Sequence, residues 1–238
     1  MKLGDKQREI LNYIVRDYVE LAQPVSSELL KERHGLEIAP ATIRLKMQDL
    51  TEQGYLCQPH TSSGRVPTDK GYRFFVDEIL KGEDSGSGVP VGMDFDKDIE
   101  DEFEDVFRLT QALTRNLAFA SSSLVLSYMT EEDVLIKDGW EQVLLNPEFQ
   151  EKESIANFID FLKYLEGNMG DFKPEADFEV YIGKENHFPK AGDFSMITFK
   201  YEPKDFDEII LSIIGPKRMA YEKNIGLINN VIKYFETN

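Results

Sequence analysis

Residues 60–65, "HTSSGR", set a histidine, three hydroxyl side chains, a glycine and an arginine in succession. Hydrolysis by a serine needs a base within hydrogen-bond reach of the nucleophile and a third group that orients the base. His60 and Ser62 are only neighbours in sequence, and no G-x-S-x-G elbow follows a strand-like run. A nucleotide cradle needs G-x-x-x-x-G-K-[ST] or G-x-G-x-x-G between strand and helix, and neither pattern occurs. The third chemistry is contact with a nucleic-acid backbone. Arg65 supplies charge, while Thr61, Ser62, Ser63 and the exposed amides around His60 and Gly64 donate to phosphate oxygens. An inert polar turn has the same composition, so the neighbouring helix has to discriminate.

That helix opens at "APATIRLKMQDLTEQG". At 100° per residue, Ile43, Met47 and Leu50 share the side that must be core. The opposite side presents Ala41, Leu45, Gln48 and Glu52, with Thr42 and Arg44 on its flanks and Lys46 further round. Glutamine reads adenine bidentately, arginine reads guanine or holds a phosphate, and an apolar side chain such as Leu45 meets a thymine methyl. Arg44 and Lys46 alone would be an ordinary charged face. An exposed leucine at its centre, beside the polar loop, favours the nucleic-acid reading. Lys70 and Arg73, near the start of the next helix, join as phosphate contacts.

The elements that must position these residues are legible from periodicity and caps. Ile10, Leu11, Ile14, Val15, Tyr18 and Val19 recur at helical spacing from Asp5 to about Ala22. Pro24 breaks the run, Ser26 or Ser27 caps a second short helix, and Gly35 stops it. Pro40 fits the first turn of the third helix and Gly54 ends it. "YLCQPH" and "RVP" then flank the loop as short strands, and Thr68 or Asp69 caps a fourth helix with Tyr72, Phe75, Val76, Ile79 and Leu80 inside. Helix, helix, helix, hairpin, helix is the order of a winged helix-turn-helix, predicted over residues 1–82. Residues 83–98, rich in Gly, Ser and Asp, read as a flexible linker.

Residues 99–238 read as an α+β domain. A helix from Ile99 to Leu117 carries Ile99, Phe103, Val106, Leu113 and Leu117 as a seam that packs on its own domain or pairs with a second copy. Strands follow at "SLVLSYM", "FEVYIG", "SMITFKYE" and "EIILSIIG", with helical segments around "GWEQVLL" and "SIANFIDFLKYLE" and a last helix through Phe235. Trp140 and the phenylalanines read as core, and the acidic run "DKDIEDEFED" as the wet side of a helix. Charge separates the two parts. Residues 1–82 hold 12 Lys plus Arg against 12 Asp plus Glu, and the remainder 15 against 32, which carries the entire net charge of -17. If part of the chain meets a polyanion, it is the first third. One cysteine, Cys57, and three scattered histidines exclude a disulfide framework and leave no zinc spacing. No apolar run spans a bilayer, and the charged start is unlike a secretory signal. The expectation is a cytoplasmic protein with no catalytic residue, metal or cofactor.

The run "QREILNYIVRDYVE…PVSS…LLKERHGLEIAPATIRLKMQDLTEQGYLCQPHTSSGRVPTDKGYRFFVDEIL" closely resembles the amino-terminal domain of the HrcA heat-inducible transcription repressors. "PATIR" and "M.DL...GYL.QPHTS.GR.PT.KGYR.FVD" are its most specific pieces. "NPEF", "IGKEN", "SMITFKY" and "IIGPKRMAYEKNIGLINNVIKYF" look like that family's GAF-like carboxy-terminal portion. The resemblance implies a dimer that binds an inverted-repeat CIRCE operator upstream of chaperone genes, kept active by the GroE chaperonin. It also puts Thr42, Arg44 and Gln48 in the major groove and Thr61, Ser62, Ser63 and Arg65 in the wing. The alternative function is a small-molecule sensor or chaperone-interaction module whose DNA contact is secondary; an enzyme ranks third.

The sequence departs from the family pattern twice. Where the family has "SPATIRNEM", "APATIRLKM" replaces a capping serine by Ala39, at a cost of about 1 kcal/mol unless another group compensates. The same change sets Leu45 on the reading face, so the preferred operator is expected to differ in at least one base step. Between "LVLSYM" and "VLIKDGW" only "TEED" stands where the family has further GAF-like strands and an inserted dimerising domain. The GAF-like domain is thus expected to be trimmed, with the Ile99–Leu117 helix and the carboxy-terminal helix left to make the dimer contact.

Overall fold

Helix α1 (Asp5–Leu21) turns Ile10, Leu11, Ile14 and Val15 into the core, as their three-four spacing requires. The computed structural model describes residues 3–61, 63–82, 103–202 and 208–237. It divides into two compact units, Met1–Glu83 and Asp84–Asn238. The stretch read as a linker, 83–98, lies outside the described residues.

In the first unit, α1 is followed by α2 (Ser27–His34), α3 (Pro40–Glu52), β1 (Leu56–Cys57), β2 (Val66–Pro67) and α4 (Asp69–Lys81). Local chemistry sets each boundary. The Ser26 side chain accepts from the Leu29 amide at 3.1 Å, and Gly35, at φ 58°, ends α2 in the left-handed conformation that glycine tolerates. Thr68 caps α4 by accepting from the Gly71 amide at 3.2 Å, and its hydroxyl reaches the Gly54 carbonyl at 2.7 Å, tying α4 to the end of α3. At α3, Ala39 provides no side-chain cap and Pro40 occupies the first turn. Ile43, Met47 and Leu50 of α3 are buried with Leu30, Leu56, Tyr72, Phe75 and Val76. One buried charge joins α1 to α2. Asp17, 1% exposed, lies 3.3 Å from Arg33 Nε and 3.0 Å from His34 Nε2, and the His34 ring stacks on Tyr13 at 3.9 Å. A carboxylate so deeply placed needs such partners.

The second unit is built on an antiparallel five-stranded sheet. Its elements run α5 (Phe103–Ser121), β3 (Leu124–Met129), β4 (Val134–Asp138), α6 (Trp140–Leu144), α7 (Lys152–Glu166), β5 (Phe178–Ile182), β6 (Phe194–Tyr201), β7 (Ile209–Pro216) and α8 (Tyr221–Thr237). The strand order is β4-β3-β7-β6-β5. Alternate residues point to opposite faces. Leu124, Leu126 and Tyr128 of β3 join Phe194, Met196, Ile210 and Ile214 in a core with Val143 of α6 and Phe158, Phe161, Leu162 and Leu165 of α7. The other face is covered by α5 and α8. An antiparallel sheet covered on both sides has no solvent face, which is why β3, β6 and β7 read as continuous apolar runs. β4 was not foreseen. It pairs with β3 as a hairpin from Met129↔Val134 to Val125↔Asp138, so "TEED" is its connecting turn. The turn closes on the Tyr128 hydroxyl, which donates to Asp133 Oδ1 at 2.8 Å.

The layer beneath α5 and α8 contains paired hydroxyls. Thr114 Oγ1 donates to the Thr110 carbonyl at 2.6 Å and lies 2.7 Å from Ser127 Oγ; Thr110 Oγ1 lies 3.1 Å from the Tyr201 hydroxyl. Ser195 Oγ meets the Tyr221 hydroxyl at 2.7 Å. Burial drives the Tyr201 phenol well above its usual range, partly offset by the Thr110 hydroxyl. Pairing is what makes these buried polar groups tolerable. Thr114→Val strands the Ser127 hydroxyl and is expected to cost about 1–3 kcal/mol in urea denaturation. Adding Ser127→Ala is expected to cost little more; strictly additive losses would refute the coupling.

Candidate nucleic-acid interface

The exposed side of α3 and the loop 58–65 are brought together by three contacts. The first is backbone pairing: the Val25 amide donates to the Arg65 carbonyl at 2.9 Å and the Arg65 amide to the Val25 carbonyl at 2.8 Å, so the α1–α2 connection adds a bridge beside β2. The second depends on Gly64, because a Cβ there would sit 2.2 Å from the Val25 carbonyl oxygen. The third is a side chain. Arg65 Nε donates to Thr51 Oγ1 at 3.1 Å, and that hydroxyl donates in turn to the Met47 carbonyl at 2.8 Å, locking the loop's base onto α3.

The loop carries its own bracing. Ser63 Oγ accepts from the His60 amide at 3.0 Å and lies 2.7 Å from the His60 carbonyl. Gln58 Nε2 donates to the carbonyls of Thr61 and Ser63 at 2.8 and 3.0 Å. Gln58 and Val25 were missed in the sequence; Gln58 braces carbonyls within the loop, and nothing local marks Val25 as a pairing partner. Ser62 lies outside the described residues.

On α3, Ala41, Thr42, Arg44, Leu45 and Gln48 are all exposed, Leu45 at 63%. A single exposed leucine is ordinary on a surface, and Leu80 of α4 is 47% exposed as well; Leu45 is set apart by its place in the middle of a polar face. Two of the polar side chains are already held. Arg44 donates to Glu28 Oε1 at 2.8 Å and reaches Ser27 Oγ at 3.4 Å, and Gln48 donates to Glu52 Oε1 at 3.0 Å. The Glu28 carboxyl is held below its usual range by its own backbone N–H, then by the Ser27 hydroxyl and the Arg44 guanidinium. Between α2, α3 and the loop lies a cleft of about 340 Å³, bordered by Ser27, Glu28, Arg44, Thr61, Ser63 and Arg65. Lys70 and Arg73 do not border it. Lys70 donates to the Gln53 carbonyl at 2.8 Å and lies over the Tyr55 ring, and Arg73 pairs with Asp77 at 3.5 Å.

The α5 seam packs within its own unit, one of the two outcomes its spacing allows. Val106, Leu113 and Leu117 are buried within their own unit, where α5 covers β3, β4 and β7. The sheet's second face takes up the stripe of Val106, Leu113 and Leu117. Phe103 begins α5, and Ile99 lies outside the described residues. Among the described residues, no helix is long and apolar enough to cross a membrane, and no group of three or more His, Cys, Asp and Glu is placed to hold a metal ion.

Residues 87–225 match the family model described as the HrcA protein C terminal domain. The chain belongs to the HrcA family. A relative from Thermoanaerobacter sp. (strain X514), named heat-inducible transcription repressor HrcA, is 26% identical across 98% of this chain and 96% of its own length. That alignment runs over 330 positions although the chain has 238 residues, so the chain is shorter than this relative within the aligned region. Part of the chain is far more alike: the HrcA repressor of Beutenbergia cavernae is 59% identical over 78 residues, 32% of this chain and 22% of its own. A crystal structure of a hypothetical protein shares the fold, with TM-score 0.80 and 21% identity over 99% of this chain and 98% of that one.

Two substitutions test how the interface is held. Gly64→Ala should force the loop off the Val25 carbonyl and lower the unfolding midpoint of the first unit, at a cost of about 1–3 kcal/mol. Ala39→Ser, supplying the absent cap of α3, should raise stability by about 1 kcal/mol. Unchanged urea midpoints in either variant would contradict the contact it addresses.

Proposed function

We propose that the chain is a sequence-specific DNA-binding transcription repressor of heat-shock and chaperone genes, acting as a dimer on an inverted-repeat, CIRCE-like operator. The observation that carries this reading is the exposed stripe Ala41, Thr42, Arg44, Leu45 and Gln48 on a helix to which a polar, arginine-anchored loop is docked. The first unit is then a winged helix-turn-helix, with α3 in the major groove and residues 60–65 as the wing. Similarity to heat-inducible transcription repressors supports a repressor, and the α+β second unit is in keeping with a trimmed GAF-like regulatory domain. Regulation by a GroE-type chaperonin follows from family resemblance.

Recognition by this surface divides into two tasks. Gln48 and Arg44 read base edges and Leu45 packs on a thymine methyl, while Thr61, Ser63 and the loop amides hold phosphates and fix register. Before it can read a base or hold a phosphate, Arg44 must exchange Glu28 for its new partner, and Gln48 must leave Glu52. Two copies about a twofold axis engage half-sites about one helical turn apart.

Selection from random duplexes tests binding, sequence and spacing together. The expected product is a palindrome whose affinity falls steeply with salt. Gln48→Ala should relax preference at one position per half-site by about 1–3 kcal/mol. Leu45→Asn should shift the selected base step toward the family's usual operator. Failure to enrich any palindrome would sink the proposal, and an unchanged preference in Leu45→Asn would remove Leu45 from the reading face.

A further inference from the structure

The second unit holds a cavity of about 500 Å³ where the end of α7, residues 171–175 and the edge strand β5 meet. Its volume is that of a site for a small organic molecule. Four rings line it. Phe172 and Phe188 stand 5.4 Å apart at 62°, Tyr164 and Phe188 6.2 Å at 57°, and Phe172 and Tyr181 6.4 Å at 57°. Rings at such angles leave faces uncovered by one another, and an aromatic face carries negative charge density.

The polar groups of the cavity have the same sign. Asp171, Glu175 and Glu179 line it against one ammonium, Lys173, with Asn168 and His187 completing the polar lining. Glu179 is fixed in place: its Oε1 accepts from the Ala176 amide at 3.0 Å, and its Oε2 accepts from the Tyr181 hydroxyl. Burial, the bond to Glu179 and the charges of Glu179 and Glu175 hold the Tyr181 phenol well above its usual range, as expected where the local potential is negative. An anionic ligand would meet three carboxylates, and a neutral apolar one would gain nothing from their charge. A cation gains from both the ring faces and the carboxylates.

We propose that this cavity is a binding site for a small organic cation, with a substituted ammonium seated against Tyr164, Phe172, Tyr181 and Phe188 and Glu179 as its counter-charge. The proposal is independent of the DNA reading, since none of its residues lies in the first unit. In a family named for heat-inducible repression, such a site gives the regulatory unit a chemical input in addition to temperature.

Titration of the full-length chain with choline, set against its neutral isostere 3,3-dimethyl-1-butanol at matched ionic strength and followed by NMR, tests it. Choline should saturate, perturbing resonances of the cavity, and the isostere should bind weaker by about tenfold or more. Glu179→Gln and Tyr164→Ala should each weaken choline by about tenfold. Tyr164 is 44% exposed, so its truncation leaves the core intact even if Glu179→Gln disturbs the strand. Equal binding of the isostere, shifts that never saturate and spread over the acidic surface, or affinity unchanged in both variants would each overturn the proposal.

Discussion

The candidate interface depends on the close approach of residues 64 and 65 to the backbone of Val25. Two hydrogen bonds between Arg65 and Val25, with no Cβ at Gly64 to obstruct them, hold the loop against the α1–α2 connection. With that backbone fixed, the Arg65 side chain reaches Thr51, and the loop acquires a defined position relative to α3. A solvated turn without this tether would order only on contact with a ligand and would carry that entropic cost into binding. Gly71 serves the same end on the other side, where a Cβ would meet the Tyr55 carbonyl at 2.2 Å and keep α4 from closing over the hairpin.

Electrostatics give this surface a second constraint. A segment such as residues 1–82, with as many acids as bases, attracts a polyanion only if its charges are sorted, and here Arg44 is already paired with Glu28 and Lys46 with Asp49. Internal carboxylates preorganise the basic side chains at the cost of competing for them. Exposed pairs of this kind contribute little to stability. In the proposed DNA reading their consequence lies in specificity, because a phosphate or guanine competes with a local carboxylate for the arginine.

In the second unit, covering the sheet governs everything else. A five-stranded antiparallel sheet whose β3, β6 and β7 are apolar on both faces requires two helical layers, and α5 with α8 supplies one of them. A three-four seam such as Val106, Leu113 and Leu117 has the same periodicity whether it faces a sheet or another copy of itself. Periodicity therefore left two outcomes open, and the sheet selected between them. The hairpin turn at Thr130–Asp133 shows how a shortened member still closes its fold: β3 and β4 remain neighbours in the sheet, joined directly.

Much of the architecture was determined by the sequence alone. Serine and threonine caps, glycine stops, helical spacing and the conspicuous leucine at position 45 marked α1 to α4 and the exposed face of α3, because these signals act within a turn or two of chain. The strands β3, β5, β6 and β7 were legible from their apolar runs. β4 was not, since an edge strand reading "VLIKD" is short and half polar. Only the tertiary structure decided which residues at a distance meet: Val25 beside Arg65, Arg65 on Thr51, Glu28 on Arg44, and the rings of α7, β5 and their loops around one cavity. Each of those contacts joins segments whose local sequence is compatible with many partners, and only packing reduces the many to one.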